Sequence, residues 1–169
     1  EPFLLAQQRP TAGAIEALRT LRLNLQLALV DTEGGRTILL TSAIPAQGKS
    51  FVSANLAFLI ASAGQRVLLI DADIRRSSID RYLPVAGERG ISDILRERVD
   101  PAPFVRDDVA PNLSVLPAGP GVDNPGDLLT EERLRKLFDW ATANYDVIVV
   151  DAPPILPVSD AVVLGRFAD

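Results

Sequence analysis

Ala43-Ile44-Pro45-Ala46-Gln47-Gly48-Lys49-Ser50 lies between an apolar run, Thr37–Thr41, and an Ala- and Leu-rich stretch, Gly48–Ala63. Those residue types at that spacing suit the binding of phosphate groups. A loop whose backbone N–H groups turn inward at a helix N-terminus attracts phosphate oxygens. Gly48 lets the backbone approach closely, Lys49 carries a mobile cation to the outer phosphates, and Ser50 offers a hydroxyl to Mg²⁺. The phosphate-loop pattern asks for Gly, four residues, then Gly-Lys-Ser/Thr. Ala43 stands where the first Gly would be, which the loop tolerates if the φ of Ala43 is negative. Taken alone, the segment could also be a strand–turn–helix with an incidental exposed lysine.

Acids at two other places strengthen the first reading. Asp71-Ala72-Asp73 closes the run Arg66–Asp71, and Asp151 closes Tyr145–Asp151. Alternation along a strand sends Asp71 and Asp73 to the same side, at the C-terminal edge of a sheet. In open α/β sheets that edge is where ligands bind. An acid at the position of Asp151 suits the holding of Mg²⁺, usually through water. Each acid by itself could be a helix cap, a solvated strand end or, for Asp151 before Pro153-Pro154, a turn residue. Three strand ends that deliver phosphate or metal chemistry to one edge point together to nucleotide binding.

To hold these residues at one edge the chain must alternate strands and helices. Thr37–Thr41, Arg66–Asp71, Leu113–Leu116 and Tyr145–Asp151 read as buried strands. Ala14, Leu18, Leu21, Leu25 and Leu29 step by four, three, four and four, one face of a helix. Further helices are expected over Gly48–Ala63, with Gly64 as a stop, and over Gly90–Arg98, Glu131–Asn144 and Ser159–Arg166. Strands that are apolar throughout and alternate with helices imply a parallel sheet covered on both faces. The class is α/β, a P-loop NTPase-like, mostly parallel sheet with helices on both faces. Six of the thirteen prolines fall in Pro101–Pro125, around the turn sequence Asp123-Asn124-Pro125-Gly126-Asp127. Residues 1–13 have no period and read as a lead-in or tether, leaving 14–169 as one domain.

Composition narrows the chemistry. The chain has 169 residues, enough for one domain with a proper core. Apolar residues at 47% and charged residues at 23% argue for a globular chain. With neither His nor Cys, a Ser-His-Asp hydrolase, thiolate chemistry and the usual zinc sites are excluded. A net charge of −5 is a poor footing for nucleic acid. Apolar runs reach only about six residues against the roughly 18 of a membrane span, and no signal peptide is visible. The expectation is a soluble domain, or a soluble piece of a longer chain.

Several motifs in order resemble one family, the bacterial tyrosine kinases of polysaccharide export. They are Glu16-Ala-Leu-Arg19-Thr-Leu-Arg22, the Ser42–Ser50 loop, Leu68–Arg76 (LLIDADIRR), Pro117–Leu129 (PAGPGVDNPGDLL), Tyr145–Pro154 (YDVIVVDAPP) and Ser159-Asp160-Ala161. The resemblance implies an ATP-dependent protein-tyrosine kinase, using Mg²⁺, that regulates exopolysaccharide or capsule synthesis and export. On that likeness Ala46, Gln47, Gly48, Lys49, Ser50 and Phe51 bind the nucleotide. Ser50, Asp71 and Asp151 serve the metal. Asp71, Asp73 and Lys49 are catalytic, one of the two acids being suited to accept the tyrosine proton. Arg75 and Arg76 follow the acids as the family's arginines do. Ala46-Gln47 replaces the family's commoner Gly-Glu, and Phe51 stands where Thr often follows the Ser.

The family continues past the equivalent of Asp169 into a tyrosine cluster, so 14–169 reads as a kinase domain cut short at its C-terminal end. Only Tyr82 and Tyr145 are present. At about 100° per residue, Glu16, Arg19 and Arg22 fan over an arc separate from Leu18, Leu21 and Leu25, facing away from the core. That arc could be a solvated face. The family's helix of this pattern docks on a neighbouring subunit, which implies a ring-like homo-oligomer. The likeness also implies a cytoplasmic domain held at the inner face of the membrane by a transmembrane polysaccharide co-polymerase segment, in the same or a partner chain. Two rivals stand beside it. A deviant-Walker spatial-organiser ATPase would carry a signature lysine where Ile44 stands. A non-catalytic nucleotide-binding module would regulate assembly of an export complex.

Overall fold

A computed structural model describes residues 3–29, 34–85 and 89–169. Four strands, β1 (Arg36–Leu40), β2 (Val67–Asp71), β4 (Leu113–Leu116) and β5 (Val147–Asp151), run parallel, and β3 (Arg106–Ala110) pairs antiparallel with β4. The order across the sheet is β1-β5-β2-β4-β3, the mostly parallel α/β architecture read from the sequence. The two central strands, β2 and β5, are buried at every position. This is why their sequences are apolar throughout rather than alternating.

Period-two alternation still divides their side chains between two layers. Leu68, Ile70, Ile148 and Val150 pack with residues of α4 (Ile91–Glu97), α6 (Glu131–Asn144) and α7 (Asp160–Leu164), among them Ile91, Leu95, Leu134, Leu137, Phe138 and Leu164. Val67, Leu69, Val147 and Val149 pack with Leu56, Ala57 and Ile60 of α3 (Lys49–Ala61). With both faces covered, the strand ends are left for chemistry.

β3 is the strand that the sequence reading did not contain. Its Asp107 and Asp108 are exposed, it has one neighbour, and its register shifts between Arg106 and Ala110. A charged, irregular edge strand carries no apolar pattern to read and resists pairing with other chains. A short helix, α5 (Pro125–Leu128), also follows the proline-rich stretch.

The N-terminal segment departs from a tether. Its first two residues lie outside the described residues, but α1 (Leu5–Gln8) is docked, with Leu4 3% and Ala6 4% exposed. The following helix, α2 (Gly13–Ala28), also turns a different face inward from the one expected. Ile15 and Leu18 are buried, Leu25 half-buried, and Ala14 and Leu21 exposed. The seam therefore runs Ile15, Leu18, Arg22, Leu25, in steps of three, four and three, against α3. Arg22 lies on it rather than facing away from the core: its Nη1 donates to the Leu59 carbonyl at 3.1 Å. The arginine stem covers apolar surface, and the guanidinium meets a carbonyl in the last turn of α3, where cations are favoured.

Candidate active site

In-register pairing aligns the ends of three strands. Asp151 stands beside Leu40 of β1 and beside Asp71 of β2. The chain beyond them stays zipped, with the Ala152 N–H donating to the Leu40 carbonyl (2.9 Å) and the Ala72 N–H to the Asp151 carbonyl (3.0 Å). Over this edge sits the loop between β1 and α3. Ala43 has no positive φ, so the missing glycine costs nothing there. The left-handed positions are Ala46 (φ 62°) and Gly48 (φ 82°). Ala46 bears a strain of about 1–2 kcal/mol that a glycine would not. Gln47 shapes the loop by accepting the Ala43 and Ile44 N–H groups on its side-chain oxygen, at 3.2 and 3.4 Å.

α3 starts at Lys49 with no side-chain cap from Gly48, so its first-turn N–H groups remain available to an anion. The Lys49 ammonium lies 3.1 Å from Asp73 Oδ2 and 3.7 Å from Asp151 Oδ1. Lys49, Ser50 and Asp73 line a cleft of about 860 Å³ with Arg75, Arg76, Arg81 and Tyr82. Phe51 meets Tyr82 edge-on, with centroids 6.0 Å apart. Asp151 lies behind, fully buried. Burial raises its pKa, opposed by the Lys49 charge and by serine hydroxyls. Its Oδ1 accepts from Ser53 at 3.0 Å, while its Oδ2 is buried without a hydrogen-bond partner among the described residues.

Asp71 is placed differently from Asp73. It lines a separate cavity of about 90 Å³ with Ser77, Ile79, Pro117 and Gly119. Its Oδ2 accepts from Ser77 at 2.6 Å, and its Oδ1 from the Asp73 N–H at 3.3 Å. Burial pushes its pKa up to about 7, with the neighbouring Asp151 and Asp73 charges adding to the rise against the Ser77 hydrogen bond. The rise follows from burial, which disfavours the charged form of a carboxyl.

A ring of supports surrounds these groups, of which the sequence reading named Arg75 and Asp160 without pairing them and missed the serines. Ser53 Oγ lies within donating reach of both the Lys49 carbonyl (2.9 Å) and Asp151 Oδ1 (3.0 Å), its one proton shared between them, and Ser78 donates to Ser50 at 2.8 Å. Arg75 pairs with the buried Asp160 at 2.9 Å, tying the loop after Asp73 to the start of α7. Spacing does not reveal these contacts, since all but the Ser53–Lys49 bond join residues of different elements. Glu16 and Arg19 pair with each other on α2, and Arg19 also donates to the Pro10 carbonyl at 2.9 Å. The hydroxyl and carboxylate oxygens of Ser50 and Asp151 suit a hard cation, and the orphaned Asp151 oxygen fits a metal-bound water. No cluster of three metal-ligating acids, His or Cys forms among the described residues, so phosphates and water would complete such a shell. Ile44 is 51% exposed on the loop, an apolar side chain where the spatial-organiser ATPases need a lysine.

Known proteins resemble this chain in sequence and fold. The AAA domain family matches residues 35–165. The tyrosine-protein kinase etk of Escherichia coli (strain K12) is 40% identical over 165 residues, 98% of this chain and 22% of that protein. The chain thus spans about a fifth of that relative's length. The solved kinase domain of Escherichia coli tyrosine kinase ETK superposes with a TM-score of 0.93 at 38% identity, covering 99% of this chain and 66% of that one. The BceF tyrosine kinase domain gives 0.86 at 41% identity, covering 97% and 65%. Among the described residues no helix is long and apolar enough to cross a membrane.

Proposed function

This chain belongs to the AAA domain family and, within it, to the bacterial tyrosine kinases, and from that membership we propose that it transfers the γ-phosphoryl group of ATP to protein tyrosine. The placement of Lys49 supports this most. Its ammonium sits between Asp73 and Asp151 at the uncapped start of a helix, beside the Ser50 hydroxyl. Phosphoryl transfer asks mainly for positioning and charge neutralisation, and these groups supply both. The α3 N–H groups and Lys49 hold the phosphates in line. Asp73, at the cleft surface, accepts the proton as the tyrosine oxygen attacks phosphorus and ADP leaves. Ser50 and Asp151 would hold Mg²⁺, which neutralises phosphate charge when bound; Asp71, expected from the sequence to join them, instead lines its own cavity with both oxygens hydrogen-bonded.

The kinase reading extends to regulation of exopolysaccharide synthesis and export, at the inner face of the membrane, through a membrane segment in the same or a partner chain. We assign a homo-oligomer surface to Glu16 and Arg19 on α2. Arg22 supports that surface from behind rather than forming it. Arg19→Ala is expected to shift a concentration-dependent oligomer to monomer in sedimentation at matched concentration, and coincident mass distributions would leave α2 a solvated face. Incubation of the full-length protein with Mg·ATP, read by phosphotyrosine detection, tests the activity. Phosphotyrosine is expected. Nucleotide binding without it would instead mark a non-catalytic assembly module.

A further inference from the structure

Asn55 sits in the middle of α3 and is fully buried. An amide in such a place is costly unless its polar atoms are bonded, and both are. Its Nδ2 donates to the Phe51 carbonyl at 2.8 Å, one turn back toward the phosphate loop. Its Oδ1 accepts the backbone N–H of Ala6, 49 residues away in sequence, at 2.7 Å. The segment held in this way does not stop at α3. Leu4 enters the core with Leu56, Ile60, Ile79 and Leu83, and the Phe3 N–H donates to the Arg81 carbonyl at 2.9 Å. Arg81 and Tyr82 form part of the cleft wall facing Lys49 and Ser50. At its other end the segment is fixed to α2, where Arg19 donates to the Pro10 carbonyl.

Residues 3–8 therefore bridge two parts of the cleft. One is the helix that presents Lys49 and Ser50. The other is the 3-10 turn Ile79–Arg81 that leads into Tyr82. We propose that Asn55 is a positioning residue: it clips the N-terminal segment across α3 and the Ile79–Arg81 turn, and the clipped segment sets the spacing of the two cleft walls that receive nucleotide. The proposal rests on the reading that this cleft binds ATP. Asn55 touches no substrate and acts through Phe51, Ala6 and Arg81. Linkage imposes a reciprocal condition. If docking of the segment favours nucleotide by some factor, nucleotide must favour docking by the same factor.

Two variants of the full-length protein and one measurement on the wild type test this. Asn55→Ala removes the acceptor inside α3. Ala6→Pro removes the donor from the segment and leaves α3 intact, at a first-turn helix position where proline is tolerated. Each is expected to raise the KM for ATP about fivefold or more with little change in kcat, a coupling of ordinary size. In the wild type, bound ATP analogue should slow hydrogen exchange at the Ala6 amide by a comparable factor. A lower melting temperature in the variants would follow from any loss of packing, and a KM rise in Asn55→Ala alone could follow from its lost bond to the Phe51 carbonyl, whereas a KM rise in Ala6→Pro together with the exchange change follows from coupling. Unchanged KM in a folded variant, or Ala6 exchange indifferent to nucleotide, overturns the proposal and leaves the kinase reading standing. Failure of the wild type to bind ATP overturns both. If Asn55→Ala does not fold, Ala6→Pro and the exchange measurement decide.

Discussion

The two ends of the sheet carry ion pairs of comparable length in opposite surroundings. At the N-terminal end Arg66 and Asp146 meet at 2.7 Å with side chains 61% and 39% exposed; at the C-terminal end Lys49 and Asp73 meet at 3.1 Å with 11% and 6% exposed. Water and salt screen the first pair. The second is largely shielded from bulk water and opens only onto the cleft, and Lys49 has a second partner in Asp151 at 3.7 Å, so the charges there act on one another with little screening. The acids respond in opposite directions. Asp146 is held below the usual carboxylate range, chiefly by the Arg66 hydrogen bond, whereas burial lifts Asp71 to about 7. A strand end becomes a site where loops exclude water around it. The presence of charge alone does not make one.

The largest expected break in this contrast comes from Asp73→Asn. If Asp73 takes the tyrosine proton, the variant loses roughly 10²–10⁴ in transfer rate, the usual contribution of general base catalysis. Binding of Mg·ATP should fall far less. Asp151→Asn should damage both, because Asp151 faces the Lys49 ammonium and its buried Oδ2 has no hydrogen-bond partner among the described residues, leaving it for a metal-bound water. Peptide phosphorylation and nucleotide titration on the full-length variants separate the two, and undiminished transfer by Asp73→Asn would reject its role.

Lys49→Met comes next. A hydrogen bond to a charged group contributes about 1.5–3 kcal/mol, so ATP binding should weaken about ten- to a hundredfold with the fold retained. Wild-type affinity by calorimetric titration would leave Lys49 a partner of Asp73 and Asp151 with no part in phosphate binding.

The same contrast appears as pH dependence. Asp71 titrates at about 7 when folded, against an ordinary 3.8. Between those values the folded state binds more protons than the unfolded one, so the contribution of this group to stability is full below about pH 4 and is lost as pH rises through about 7. Asp71→Asn removes that loss. The variant should exceed the wild type in stability at pH 8 by up to about 4 kcal/mol, and the gap should close as pH falls toward 4. Urea unfolding across that range measures it, and a gap that does not vary with pH would contradict the buried-acid assignment.

How much of this was legible in the sequence follows from what each element faces. β2 and β5 are buried on both faces, so their composition announced them, while β3 at a solvated edge had nothing to announce. Lys49, Ser50, Asp71, Asp73 and Asp151 could be singled out because loop spacing and strand ends are local patterns. Ser53, Ser77, Ser78 and Asn55 take their meaning from partners in other elements, which spacing cannot reveal. α2 shows a different limit. Leu21, Leu23, Leu25 and Leu27 place apolar groups on several sides, so periodicity alone could not choose the buried face, and Arg22 was assigned outward when it lies on the seam.

Arg66→Ala should have the smallest effect. It removes the guanidinium that holds the Asp146 pKa down, at the end of the sheet open to water. A depressed acid contributes stability above its unfolded pKa and loses it as pH falls through the folded value, the reverse of Asp71. The variant should therefore melt slightly below the wild type at neutral pH. The difference should shrink at high salt and vanish in acid once Asp146 is protonated. Nucleotide affinity should not change, because the pair lies at the far end of the strands from Lys49. A melting series in pH and salt, alongside one ATP titration, checks all three. A deficit that persists in high salt would place this pair on the same footing as the buried cluster and erase the contrast between the two ends.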